Sequence, residues 1–327
     1  MTNLKEDLLR YSHLATQYLQ AMKFDDDKID QMYHYAIDGG NRLRPALVSL
    51  SAEVVGGNPE NIFYAAAAIE LMHKSAVIHD DIIDEDEFRR KRKAFHAMFG
   101  AECGILMGDL LVSLAFDTLS RLYETHTYDD VIQCYKLLSQ SANNVCIGQL
   151  LDCLFEELSS ISWERYIEMI SKKSSSLLEK SLQIGGILGG ANQSDINFLT
   201  DYGRNIGIAF QLRNDIDNII NFEDAGRKRG SDILKKKKTC LVLKTLEIGC
   251  QKDRELLLWF TSQPNYSEDD INRIIAMFEE NGAISNCQDM VKKYAHAAKR
   301  SLEGVKEGKA KEILLQLAFY AESDHHW

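Results

Sequence analysis

Proline is almost missing from this chain: Pro45, Pro59 and Pro264 are the only three in 327 residues. Proline inside a helix loses a hydrogen bond and clashes with the preceding turn, so its scarcity leaves room for long uninterrupted helices. Alternating strand patterns are missing too, and the two absences together predict an all-α protein. Clustered basic charge is a third absence. With a formal net charge of -11 and no basic face or tail, the chain is not built for nucleic acid. The seven cysteines (Cys103, Cys134, Cys146, Cys153, Cys240, Cys250, Cys287) are scattered, odd in number and without C-x-x-C spacing. That excludes a disulfide framework and a zinc site, and suits a reducing cytoplasm. Lys5, Glu6 and Asp7 stand where a signal peptide needs apolar residues, and the most apolar later run is broken by Asp109. Neither a secretory signal nor a transmembrane segment is expected. No Pro, Gly or Ser-rich linker interrupts the sequence, so residues 1–327 read as a single domain.

What is present is helical periodicity. Ile271, Ile274, Ile275 and Phe278 fall at i, i+3, i+4, i+7, with Ser267 as N-cap and Asn281-Gly282 as a stop. Asn58-Pro59-Glu60 supplies a cap, a first-turn proline and an acidic first turn for a helix running to Ile78. Further helices are predicted near 2–22, 26–37, 44–55, 101–124, 129–156, 162–188, 194–222, 239–261, 284–305 and 309–321. So many helices make a large antiparallel bundle around a central cavity, with Ala65 to Ala68 permitting close contacts.

Three polar elements interrupt this pattern. The first, His79-Asp80-Asp81-Ile82-Ile83-Asp84 followed by Arg89-Arg90, ends an apolar helix. Asp80 and Asp84 are four apart on one face, where two carboxylates repel unless a cation or solvent lies between them. Hard oxygen ligands of this kind suit magnesium, which commonly bridges protein carboxylates to substrate phosphates, while the arginines offer an anion-binding half. An EF-hand fails, since Phe88 falls on a ligand position. The second element is Asn214-Asp215-Ile216-Asp217-Asn218, which puts Asn214 and Asn218 on one helix face. The third is the turn Gly39-Gly40-Asn41-Arg42-Leu43-Arg44-Pro45, a suitable place for a diphosphate. Taken singly, each has an ordinary reading as a solvated helix end, exposed polar residues or a helix-helix turn.

Together and in this order they resemble the trans-isoprenyl diphosphate synthase (polyprenyl synthetase) family, of the geranylgeranyl or polyprenyl type, over nearly the whole chain. The resemblance implies an all-α isoprenoid synthase fold, three magnesium ions, a homodimer, and condensation of isopentenyl diphosphate with an allylic diphosphate. It assigns magnesium to Asp80, Asp81 and Asp84, and to Asn214, Asp215 and Asn218. Isopentenyl diphosphate falls to the turn (Gly40, Asn41, Arg42, Arg44) with His73 and Arg90, and Arg89 is a substrate-binding position beside them. The allylic diphosphate falls to Lys173 and Lys237, and Ser174 and Gln211 are further substrate-binding positions. Asp80, Asp81, Asp84, Lys173, Gln211 and Asp215 are the expected catalytic group, and Gln149 and Asp152 fall in a G-Q-x-x-D pattern. Chain length would be set one or two turns before Asp80, at Met72, Ser75 and Ala76. The small residues there imply a linear all-trans product of about twenty carbons or longer.

The sequence also departs from the family pattern. Asn41 replaces a lysine, Asn214 and Asn218 replace carboxylates, Lys236 replaces a glycine, Leu241 a proline and Arg227 a lysine. Asp324 to Trp327 lack a basic tail. Two other readings follow from these losses: a terpene synthase-like enzyme acting on an allylic diphosphate alone, although Phe222 stands where its glutamate would be, and a weakly active regulatory subunit of a hetero-oligomeric synthase.

Overall fold

Periodicity of the apolar residues becomes a stack of helices in the computed structural model, which describes residues 4–220, 229–263 and 265–323. Phe222, Arg227, Pro264 and Asp324 to Trp327 lie outside the described residues. In chain order the helices are α1 (Leu4–Tyr11), α2 (His13–Ala21), α3 (Asp27–Ile37), α4 (Leu43–Val54), α5 (Phe63–Ile83), α6 (Phe95–Phe99), α7 (Ala101–Ser120) and α8 (Tyr128–Glu156). They continue with α9 (Trp163–Ile170), α10 (Ser176–Leu188), α11 (Gln193–Ile220), α12 (Ser231–Leu234), α13 (Cys240–Ile248), α14 (Gln251–Ser262), α15 (Glu268–Glu280), α16 (Ala283–Ser301) and α17 (Lys309–Glu322).

Local chemistry fixes their ends. The Asp26 carboxylate accepts from Lys28 N at 2.9 Å and Ile29 N at 3.1 Å to open α3, and Ser267 and Asp270 close a reciprocal capping box on α15. Three predicted helices come in pieces. The helix at 2–22 is broken because the Ser12 hydroxyl donates back to Leu8 O at 2.9 Å and competes with the helical ladder. The one at 239–261 divides at Gly249, where the Asp253 carboxylate caps Cys250 N and starts α14. The one at 162–188 widens into a π turn at Ser171–Ser175. Pro59–Ile62 forms a 3₁₀ turn ahead of α5 rather than its first turn. Contrary to the expectation of no strand, a short antiparallel pair, β1 (Phe88–Arg89) and β2 (Arg92–Lys93), folds the segment after the acidic cluster back on itself.

Two cores hold the bundle. One joins α11, α13 and α15 to α17, with Tyr202, Phe260 and Phe278 fully enclosed. The other packs α5 against α2, α7 and α8. There Ala65, Ala66, Ala67 and Ala68 are wholly buried, their small side chains letting neighbouring helices approach. α5 and α7 run antiparallel, since Gly104 of α7 faces Ile82 and Gly108 faces His79.

Candidate active site

Three aspartates end α5, the end at which the helix dipole is already negative and carboxylates are least favoured. Basic side chains from three other segments offset this. Arg89 Nε donates to Asp81 Oδ1 at 2.5 Å and Arg89 Nη2 to Asp80 Oδ2 at 3.1 Å. Lys173, in the π turn, reaches Asp80 at 3.0 Å. Lys237 reaches Asp84 at 2.9 Å, and Lys235 pairs with Asp86. The hub is Asp152 on α8, which receives Lys173 at 2.7 Å and Lys237 at 3.0 Å, while Glu156 also holds Lys237 at 2.7 Å.

The charge states follow from this packing. Burial alone would lower both lysines, but Asp80, Asp152 and Asp84 raise Lys173, and Asp152, Asp84 and Glu156 raise Lys237, above the usual lysine range. The same two lysines hold Asp152 below the carboxylate range against its burial. Asp81 is pushed up to about 6 by burial, with Arg89 opposing and Asp80 and Asp86 adding. The π turn fits because Gly148 of α8 and Gly207 of α11 lack side chains: a Cβ on Gly148 would lie 2.3 Å from Lys173 N, and one on Gly207 2.6 Å from the Ser175 Cβ. Wide turns of this kind are frequent at functional sites.

A second cationic group forms around the glycine turn. Gly39 and Gly40 take φ of 68° and 92°, a left-handed conformation that glycine adopts without strain. Arg44 Nη1 lies 3.1 Å from His73 Nε2, and Arg90 Nη1 donates to Asn41 Oδ1 at 3.1 Å. Burial pushes Arg44 down to about 10, and burial with Arg44 and Lys74 close by keeps His73 neutral, well below the usual histidine range. Two residues expected to bind substrate make other contacts in this structure. Arg42 is buried in a 2.5 Å bond to Glu70 and a 2.8 Å bond to Ile37 O, which pins the turn. Arg89 turns onto the acidic cluster.

On α11 the geometry divides the expected ligand set. Asn214 is exposed. Asp215 is buried with both oxygens engaged: Tyr166 donates its hydroxyl at 2.6 Å, Cys240 N donates at 2.9 Å, and Gln211 Nε2 donates at 3.0 Å. The Asn218 amide donates to Ser231 Oγ at 2.7 Å and accepts from Asp232 N at 3.2 Å, fixing the segment that leads to Lys235 and Lys237. Gln211 Oε1 accepts from Ser174 Oγ at 2.7 Å, which ties α11 to the π turn. Among the expected chain-length residues, Met72 and Ser75 are buried and Ala76 is half-buried.

Among the described residues no three acidic, histidine or cysteine side chains converge as a ready ligand shell. The oxygen donors at the end of α5 nevertheless have the hardness magnesium requires, and the basic groups against them show that positive charge is needed at this place. Sequence reasoning did not single out Lys74 or Tyr166, and it met Asp86 only within the acidic stretch and Lys235 only within the run Lys235 to Lys238. A lone lysine in an apolar helix was the available signal for Lys74; nothing local marks Tyr166.

The sequence profile of the polyprenyl synthetases matches residues 26–278. A short chain isoprenyl diphosphate synthase of Methanothermobacter thermautotrophicus is 35% identical over 330 residues, covering 99% of this chain and all of that one. A geranylfarnesyl diphosphate synthase of Aeropyrum pernix is 31% identical, covering 88% and 91%. The crystal structure of a geranylgeranyl pyrophosphate synthetase from Pyrococcus horikoshii superposes with a TM-score of 0.90 at 33% identity, covering 98% of each chain.

Proposed function

The chain belongs to the polyprenyl synthetase family and is a trans-prenyltransferase, and from that premise we propose how its own residues divide the reaction. Lys173 and Lys237 hold the diphosphate of the allylic substrate. Arg44, His73 and Arg90 hold the diphosphate of isopentenyl diphosphate beside the glycine turn. Magnesium would be held by Asp80, Asp81 and Asp84, with Asn214 as a further oxygen donor, three ions in all by family habit, and when bound it would draw charge from the leaving diphosphate. Asp215 and Asn218 act as anchors of α11 and of the lysine segment, which accounts for the tolerance of an amide at position 218.

The observation that carries this reading is the pair of lysines bridging Asp152 to the end of α5. Diphosphate can take the ammonium groups while the carboxylates they release face the cation, so each charge exchanges one partner for another. Departure of diphosphate leaves an allylic cation, which the isopentenyl double bond attacks; the released diphosphate is the proton acceptor. The apolar residues of α5 below Asp80 keep water from the cation. With Ser75 and Ala76 small, growth continues to a linear all-trans product of about twenty carbons or longer.

Exposed apolar side chains on α7 and α8, among them Leu106, Ile147, Leu150 and Leu154, support a homodimer through this face. α7 is long and apolar enough to cross a membrane by composition, but Gly104, Met107, Gly108, Leu111 and Ala115 pack into the bundle. All seven cysteines are free, in keeping with a reducing cytoplasm. Asp81→Ala tests the assignment: diphosphate release from an allylic substrate should fall at least about hundredfold, and a fully active variant would exclude the role.

A further inference from the structure

Lys74 lies in the apolar run of α5 between His73 and Ser75 and is only 9% exposed. Its ammonium donates to Asp38 O at 2.8 Å and to Gly39 O at 3.0 Å, which leaves the third N–H of the group unassigned. A methyl group placed on Gly40 would be 3.6 Å from Lys74 Nζ and 3.6 Å from Arg90 Nη1, so both cations flank the same side of the glycine turn.

The charge around this turn does not balance. Glu70 is committed to Arg42 at 2.5 Å, and the Asp38 carboxylate to Arg92 at 2.8 Å. Among the described residues Arg44, Lys74 and Arg90 have no carboxylate within ion-pair distance, and Arg44 Nε makes no hydrogen bond. Of these three Lys74 is buried, Arg44 half-buried and Arg90 exposed; a buried cation without a counter-charge is costly, and a polyanion seated beside it offsets that cost. Burial pushes Lys74 down to about 8, with Glu70 opposing and Arg42 and Arg90 adding, as expected where positive charge waits for an anion. If the lysine served only to satisfy two carbonyls, a neutral donor would do so with less desolvation.

We propose that Lys74 is a binding residue for the diphosphate of isopentenyl diphosphate, supplying from α5 the positive charge that the neutral Asn41 does not supply from the turn. This rests on the assignment of Arg44, His73 and Arg90 to that substrate.

Lys74→Gln is the test, because its amide still donates to the turn but carries no charge. Michaelis constants for both substrates, kcat and thermal unfolding are measured on the full chain, together with the N41K/K74Q double variant. The KM for isopentenyl diphosphate should rise about tenfold, the loss expected for one charge-assisted hydrogen bond. The allylic KM and kcat should hold, and Asn41→Lys should restore most of the loss. Lys74→Met, a second neutral replacement of similar volume, is read in the same way if the glutamine variant does not fold. An unchanged KM, equal rises for both substrates, or no recovery in the double variant overturns the proposal. Those results leave the prenyltransferase reading intact, whereas a wild-type chain that incorporates no isopentenyl units ends both.

Discussion

Asp215 is buried, and its carboxyl is pushed up from 3.8 to about 6 by burial, with Asp232 adding and Tyr166, Cys240 and Gln211 opposing. An acid whose folded value is raised stabilises the fold fully below 3.8, and that contribution is lost as pH rises through about 6. Asp215→Asn cannot ionise, so its unfolding temperature relative to wild type should improve as pH goes from 4 to 7. The shift corresponds to roughly 3 kcal/mol, whatever fixed cost the lost acceptor brings. Thermal unfolding of both proteins across that range measures it; a pH-independent difference would show that Asp215 is ionised throughout. The sequence singled out Asp215 within the polar stretch of α11 but not the hydrogen bonds that hold it. Its partners Tyr166 and Cys240 are 49 and 25 residues away, and only the folded chain brings them together. Asp80 and Asp84 stood out because four-residue spacing within one helix needs no tertiary information, and Asp81 came from the resemblance alone.

At the scale of elements, long helices such as α8 and α11 followed from periodicity, and capping chemistry set ends such as Ser267. The breaks did not follow, since the Ser12 and Cys250 turns depend on single hydrogen bonds that periodicity does not register. The π turn was equally hidden, because it depends on gaps left by Gly148 and Gly207 on two other helices. Its consequence is testable. Gly148→Ala places a methyl group against the backbone at Lys173, so the turn must shift, carrying Lys173 away from Asp80 and Asp152. We expect kcat/KM for the allylic substrate to drop roughly ten- to hundredfold with the KM for isopentenyl diphosphate little changed. Unaltered allylic kinetics would mean that the π turn does not position the lysine.

For the whole molecule, α7 and α8 leave several large apolar side chains in water, among them Ile105, Leu106, Ile147, Leu150 and Leu154, and exposed apolar surface of this kind suits a protein contact. Leu106 is 68% exposed and Leu150 63%, so Leu150→Glu should convert a dimer into a monomer by sedimentation velocity at micromolar concentration; a monomeric wild type would refute the dimer. This assignment needed the folded chain, because α7 reads in sequence simply as an apolar helix. In the proposed reaction two neighbouring cationic sites seat two diphosphates for one condensation. Wild-type protein with magnesium, labelled isopentenyl diphosphate and each allylic primer in turn tests this most directly. The predicted result is a linear all-trans prenyl diphosphate of about twenty carbons or longer that carries the label. Products built from the allylic substrate alone, or no turnover until a partner subunit is added, would contradict it.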